Sequence, residues 1–117
     1  MGKITLPPPL ESAVQDQIKG YLTIRGWFCS NIRERYFTGK TKGQFSEPGI
    51  PDMLCIKGGR VVMLEVKRPR SSYSKPNDNQ KAWHAEWKRQ GGEVYVVRSV
   101  EDAMEVCDKE APNEAFF

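Results

Sequence analysis

Three residues near the middle of this 117-residue chain, Asp52, Glu65 and Lys67, are of types that could together hold a divalent cation and activate water. They stand on two apolar, β-branched runs, residues 51–57 and 60–67, separated only by Gly58-Gly59. A Gly-Gly pair between such runs predicts a two-residue hairpin, because glycine reaches the positive φ that the turn requires. A turn symmetric about the glycines sets Lys57 opposite Arg60, Ile56 opposite Val61 and, at the far end, Asp52 opposite Glu65. Strand alternation then sends Glu65 and Lys67 to one side and Leu64 and Val66 to the other.

Two carboxylates about 5 Å apart repel by roughly 3 kcal/mol at an effective dielectric of about 20. A domain with about 5 to 15 kcal/mol of net stability seldom keeps such a pair without a compensating cation. Lys67 is one candidate and a divalent metal another. The alternative is an ordinary solvated charge cluster on a surface strand. Against that, the acidic residue follows Gly49-Ile50-Pro51 directly, and Glu65-Val66-Lys67 closes a strand that is otherwise apolar.

Two helices must position this hairpin. Leu10, Val14, Ile18, Tyr21 and Leu22 recur at helical spacing after Pro7-Pro8-Pro9, which suits a polyproline lead-in. Glu11 lies seven residues before Ile18, at nearly the same azimuth, so it is expected to point inward, although a first-turn Glu also answers the helix dipole. A later helix carries Gln80, Trp83, His84 and Trp87 at i, i+3, i+4 and i+7. The tryptophans are expected in the core, His84 as a packed or surface imidazole, and Gln80 either at the helix surface or reaching toward the carboxylates.

In this order, Glu11, the Gly-Ile-Pro-Asp entry to Asp52, Glu65-Val66-Lys67 and Gln80 resemble the PD-(D/E)XK nucleases, and more narrowly their VRR-NUC (virus-type replication-repair nuclease) branch in its stand-alone, phage-like form. The resemblance runs from Leu10 to about Cys107. It implies a restriction-endonuclease-like core and assigns Asp52 and Glu65 to metal, with the Val66 carbonyl as an extra ligand and Glu11 completing the site directly or through water. Lys67 would orient or deprotonate the attacking water, or stabilise charge on the phosphate. Gln80 would steady the site or a nucleotide. Nothing is transferred to Asn77, Asp78 or Asn79. Magnesium is the implied cofactor, with manganese able to substitute; a hard cation prefers oxygen ligands and polarises phosphoryl oxygens. The resemblance further implies cleavage of branched DNA such as four-way (Holliday) junctions by a homodimer, in recombination or repair.

Charge is distributed to match. The chain carries +3, yet from residue 101 onward six acids face one lysine, so the first 100 residues hold +8. Arg33, Arg35, Lys40 and Lys42 form one basic stretch, with Tyr36 and Phe37 among them. Arg68, Arg70 and Lys75 form a second, with Tyr73. Such loops suit phosphates, and their aromatics suit unpaired bases; incidental solvated loops are the alternative. A single histidine argues against a multi-histidine metal site, and three scattered cysteines against zinc, fitting buried thiols in a reducing cytoplasm, which for a phage-encoded chain is that of the bacterial host. No phosphate loop or membrane-length apolar run occurs, so neither a nucleotide cofactor nor a membrane partner is expected.

The expected order is helix 10–25, strand 27–32, the hairpin 51–67, helix 77–90, strand 93–98 and helix 100–107. This makes one α/β domain over residues 1–117, a small mixed sheet flanked by helices in the order αβββαβα, with 1–9 as an arm and 111–117 as a tail. The reading is a metal-dependent DNA endonuclease. Flap or linear-duplex cleavage, a non-catalytic module that holds branched DNA, and a docking domain using Phe116-Phe117 are the rivals.

Overall fold

Hydrophobic periodicity switches from helical to strand and back along the chain, and the computed structural model, which describes residues 10–32, 47–69 and 75–109, follows those switches. Its elements are α1 (Glu11–Ile24), β1 (Phe28–Asn31), β2 (Met53–Lys57), β3 (Arg60–Val66), α2 (Asp78–Arg89), β4 (Glu93–Val97) and α3 (Val100–Cys107). The strands form one mixed sheet in the order β1-β2-β3-β4, with β3 and β4 parallel and the other pairs antiparallel. The parallel step requires a crossover, and α2 supplies it.

The hairpin register is the one the symmetric turn demands: Lys57 pairs with Arg60 and Ile56 with Val61, continuing to Met53 with Leu64. Gly58 and Gly59 have φ of 57° and 84°, as a type I′ turn needs. Regular pairing stops one residue short of Asp52, whose amide donates to the Leu64 carbonyl at 3.1 Å. On its other edge Asp52 still accepts from the Ile32 amide at 2.8 Å.

Alternation along the central strand divides the molecule. Val62, Leu64 and Val66 are fully buried on one face, against Val14, Ile18 and Leu22 of α1 and Ala103 and Cys107 of α3. Cys29, Cys55 and Cys107 are free thiols inside this core. Burial pushes the Cys107 thiol up to about 12, against the lowering charge of Arg60. Glu65 and Met63 take the other face, the one α2 covers. Leu10, counted above with the apolar stripe of α1, is 64% exposed because it sits at the N-cap, ahead of the first turn. Ser99 caps α3, its hydroxyl accepting from the Asp102 amide at 3.1 Å. Among the described residues, no helix is long and apolar enough to cross a membrane.

Candidate active site

The Asp52 end of the hairpin is buried, which rules out the solvated-cluster alternative. Asp52 is 5% exposed, Glu65 0% and Lys67 9%. Each is placed by backbone rather than by chance: Glu65 is the penultimate residue of β3, Lys67 follows it, and Asp52 immediately precedes β2. The Asp52 Oδ2 accepts from the Val66 amide at 2.7 Å, so the carboxylate is pinned across the strand that carries Glu65. Lys67 Nζ lies 3.7 Å from Glu65 Oε2. That is an ion pair at long range rather than a hydrogen bond.

The α2 helix closes the site from above. Asn77 caps it and Gln80 completes a capping box: the Asn77 side chain accepts from the Gln80 amide, and Gln80 Oε1 accepts from the Asn77 amide, both at 2.9 Å. The other end of the same side chain, Nε2, donates to Glu65 Oε2 at 3.1 Å. Gln80 therefore does reach the carboxylate cluster, and it does so with both ends of its amide fixed. The segment that leads into Asp52 packs against the same helix end. A Cβ on Gly49 would meet the Asn79 carbonyl oxygen at 2.2 Å, and its φ is +87°.

One turn after Gln80, His84 points into the same space, 8% exposed, with Nε2 3.7 Å from Glu65 Oε1. Burial, and then the charges of Lys88 and Lys67, hold its pKa below the usual imidazole range. The sequence placed His84 only as a packed or surface imidazole; its spacing of four from Gln80 was the available signal. The tryptophans of that helix are not core residues. Trp83 and Trp87 are half-buried and stacked, with ring centroids 5.0 Å apart and planes 20° apart. Gln80 and His84 occupy the centre of the inward face, which turns the indoles to its flank. There Trp87 Nε1 donates to the Glu93 carbonyl at 2.9 Å, and both rings line a pocket of about 410 Å³.

Asp52, Glu65, Lys67 and Gln80 are thus brought together, and Val66 joins them through its amide. Glu11 is half-buried at the first residue of α1. Arg68 is half-buried, its carbonyl accepting from Arg98 Nη1 at 2.9 Å, and Lys75 is exposed. Arg33, Arg35, Lys40, Lys42, Arg70 and Tyr73 lie outside the described residues, as do the 1–9 arm and the 111–117 tail.

A solved structure titled "VRR_NUC domain" superposes on this chain with a TM-score of 0.65 at 22% identity, covering 86% of this chain and 97% of that one. This chain has the VRR_NUC fold. No family model and no curated protein matches it. The architecture expected from the resemblance, a small mixed sheet with three helices around it, is the one observed.

The donor chemistry within this VRR_NUC fold suits a hard divalent cation. Two buried carboxylates supply oxygen, and a lysine is the balancing cation beside one of them. Among the described residues no three His, Cys, Asp or Glu side chains form a ready-made cage. A cation such as magnesium, which keeps several waters, fits a site of two carboxylates better than a full protein cage.

Proposed function

We propose that this chain is a metal-dependent DNA endonuclease that hydrolyses phosphodiester bonds. The observation that carries this reading is the burial of Asp52, Glu65 and Lys67 on one face with Gln80 clamped to Glu65. Charges of this kind are costly inside a protein unless a ligand or a reaction uses them. Asp52 and Glu65 would hold magnesium or manganese, with the Val66 carbonyl and Glu11 as further candidates for its shell. The bound cation supplies activation of water and neutralisation of phosphoryl charge. Lys67, on the same face, would position the water or the phosphate oxygen; the water oxygen would lose a proton to Lys67 or to solvent and bond to phosphorus, the bond from phosphorus to the leaving oxygen would break, and that oxygen would take up a proton from solvent. The likeness to a VRR_NUC domain supports the nuclease class.

The proposed substrate is branched DNA, four-way junctions first, cut by a homodimer in recombination or repair. One chain offers one such site, and paired cuts in a symmetric junction need two. Arg68 and Lys75, with the basic residues of the 33–42 stretch, Arg70 and Tyr73, are the proposed phosphate and base contacts.

The test is cleavage of labelled linear duplex, flap and four-way junction DNA with magnesium or manganese, comparing the native chain with Asp52→Ala. Paired, metal-dependent cuts in the junction, absent from the variant and in chelator, establish the reading. Cuts restricted to flap or linear duplex retain the nuclease and replace the substrate. Tight DNA binding with no cutting of any substrate leaves a non-catalytic binding module in its place.

A further inference from the structure

Beside the carboxylates, on the next stripe of α2, lies the pocket of about 410 Å³ that the nuclease reading does not use. Asn79, Trp83, Trp87 and Gln90 line it from the helix, and Glu47 and Pro48 from the segment that leads into Asp52. Both walls are shared with the candidate active site. Asn79 directly precedes Gln80, which holds Glu65 at 3.1 Å, and Glu47 stands five residues before Asp52. Gly49 locks the walls together, packed so closely on the Asn79 carbonyl that a Cβ there would collide with it. The two sites thus flank the first turn of α2. A helix is about 10 Å across with its side chains and a DNA strand advances roughly 3.4 Å per stacked nucleotide, so one strand spans both within a few nucleotides.

The lining suits a flat, uncharged ring with donors on its edge. Trp83 and Trp87 are half-buried and stacked, centroids 5.0 Å apart, and both border the cavity, so a third planar group can extend the stack. Trp87 Nε1 is already spent on the Glu93 carbonyl, which leaves that indole to offer surface rather than a hydrogen bond. Glu86 is held by Arg89 at 2.6 and 2.8 Å, whereas Glu47 is an exposed carboxylate at the rim. Two carboxylates and no lysine or arginine in the lining turn a phosphate away. A nucleobase meets each condition: a π-face for the indoles, N–H groups for Glu47, and no charge. Inside a duplex its faces and its pairing edge are occupied, so the base that enters is an unpaired one.

We propose that this pocket takes one unpaired nucleobase of the substrate strand close to the cut, stacked on the Trp83–Trp87 pair and donating to Glu47. Guanine is preferred, because its N1–H and N2–H lie side by side and can meet both oxygens of one carboxylate; thymine offers a single N–H. The inference rests on the nuclease reading, which makes DNA the ligand, and narrows its substrate to DNA with an unpaired nucleotide near the scissile phosphate.

The experiment is binding of the full chain to short strands made of abasic nucleotides apart from one central base, guanine, thymine or none, with calcium in place of magnesium, another cation that takes oxygen ligands. Tryptophan fluorescence is the second readout. Guanine is expected to tighten binding about tenfold over the all-abasic strand and to quench the indoles, and thymine to do less of both. Trp83→Ala should return the guanine strand to the all-abasic level, with all-abasic binding itself unchanged as the control for folding. Glu47→Ala, at an exposed position, should bring guanine down to thymine. Junction DNA that binds while no strand gains from its base overturns this inference and leaves the nuclease reading in place. A gain from guanine that persists in Trp83→Ala, or a lead over thymine that Glu47→Ala does not touch, puts the base elsewhere and overturns it as well. If junction, flap and duplex DNA all fail to bind, the inference and the nuclease reading fall together.

Discussion

The two ends of β3 each carry an ion pair, half-buried at the start and buried at the finish, and they are built differently. At the start of the strand, Arg60 meets Glu93 bidentately at 2.8 and 2.9 Å. Its guanidinium also donates to the carbonyls of Val106, Cys107 and Lys109 at the end of α3, and lies 5.8 Å over the Trp27 ring. Tyr95 donates to Glu93 at 2.6 Å, so charges and backbone acceptors are answered together. At the other end of the strand, Lys67 and His84 both stand 3.7 Å from Glu65, and Gln80 alone closes to hydrogen-bond distance of the three. Arg60 ties β3, β4 and α3 into one body. Glu65 is held by one hydrogen bond from Gln80 and by longer contacts to Lys67 and His84. The first arrangement serves stability; the second serves chemistry on the nuclease reading proposed above.

The comparison breaks most visibly if the Arg60 pair is cut. Arg60→Met strands a half-buried carboxylate and the last carbonyls of α3, and is expected to cost about 2 kcal/mol in denaturant unfolding. Cleavage per folded molecule should persist. The double variant Lys67→Met with Glu65→Gln is expected to do the reverse. Removing both partners of a poorly closed pair leaves the unfolding free energy within about 1 kcal/mol of the native value, or raises it. Turnover should fall by at least about a hundredfold. Equal losses of stability in the two cases would show that both pairs are structural.

Gly49→Ala probes how the active end is held together. The added Cβ would collide with the Asn79 carbonyl and sit at a φ that L residues avoid. A loss of about 1 to 3 kcal/mol is expected, because the approach of the Asp52 segment to α2 has no slack. Turnover should fall more than melting alone explains, since Asp52 and Gln80 are carried by the two sides of that approach.

Acid separates the ends in a smaller way. Burial pushes the Glu93 carboxyl up, but hydrogen bonds from Arg60 and Tyr95, with the Arg60 charge, outweigh it and set the pKa below the usual value. A depressed folded-state pKa gives stability that is present above the unfolded value of about 4.5 and is lost as pH falls through the folded one. Unfolding midpoints measured downward from pH 5 should drop for the native chain and drop less for Arg60→Met.

Sequence patterning resolved one end of β3 better than the other. The register of the hairpin followed from a two-glycine turn, since once the turn is fixed every cross-strand partner is counted outward from it; Asp52 and Glu65 came with that count. Gln80 was left between the helix surface and the carboxylates, and its bond to Glu65 decides between them. Arg60, in contrast, was placed only opposite Lys57, because its partners Glu93 and the α3 carbonyls lie 33 to 49 residues away and no local period marks them. Trp83 and Trp87 were placed in the core by hydrophobicity, but the polar pair beside them already held the inward azimuth. Asn77 was given no role and His84 was placed only as a packed or surface imidazole, because a cap and a single imidazole leave almost no trace without their three-dimensional partners.

Asn77 supplies the smallest and most discriminating test. Its side chain caps α2 through the Gln80 amide, and Gln80 returns the bond to the Asn77 amide while its other end holds Glu65. Asn77→Ala removes the cap and is expected to cost about 1 kcal/mol, with Glu65 still clamped and cleavage near native. Gln80→Ala removes one arm of the capping box and the clamp together. If positioning Glu65 is what Gln80 does for the site, turnover falls in Gln80→Ala well beyond the Asn77→Ala level at a similar loss of stability, and Gln80→Glu, which puts a like charge against Glu65, falls further. Matching turnover in Asn77→Ala and Gln80→Ala would reduce Gln80 to a helix cap and leave Glu65 held by Lys67 and the strand alone.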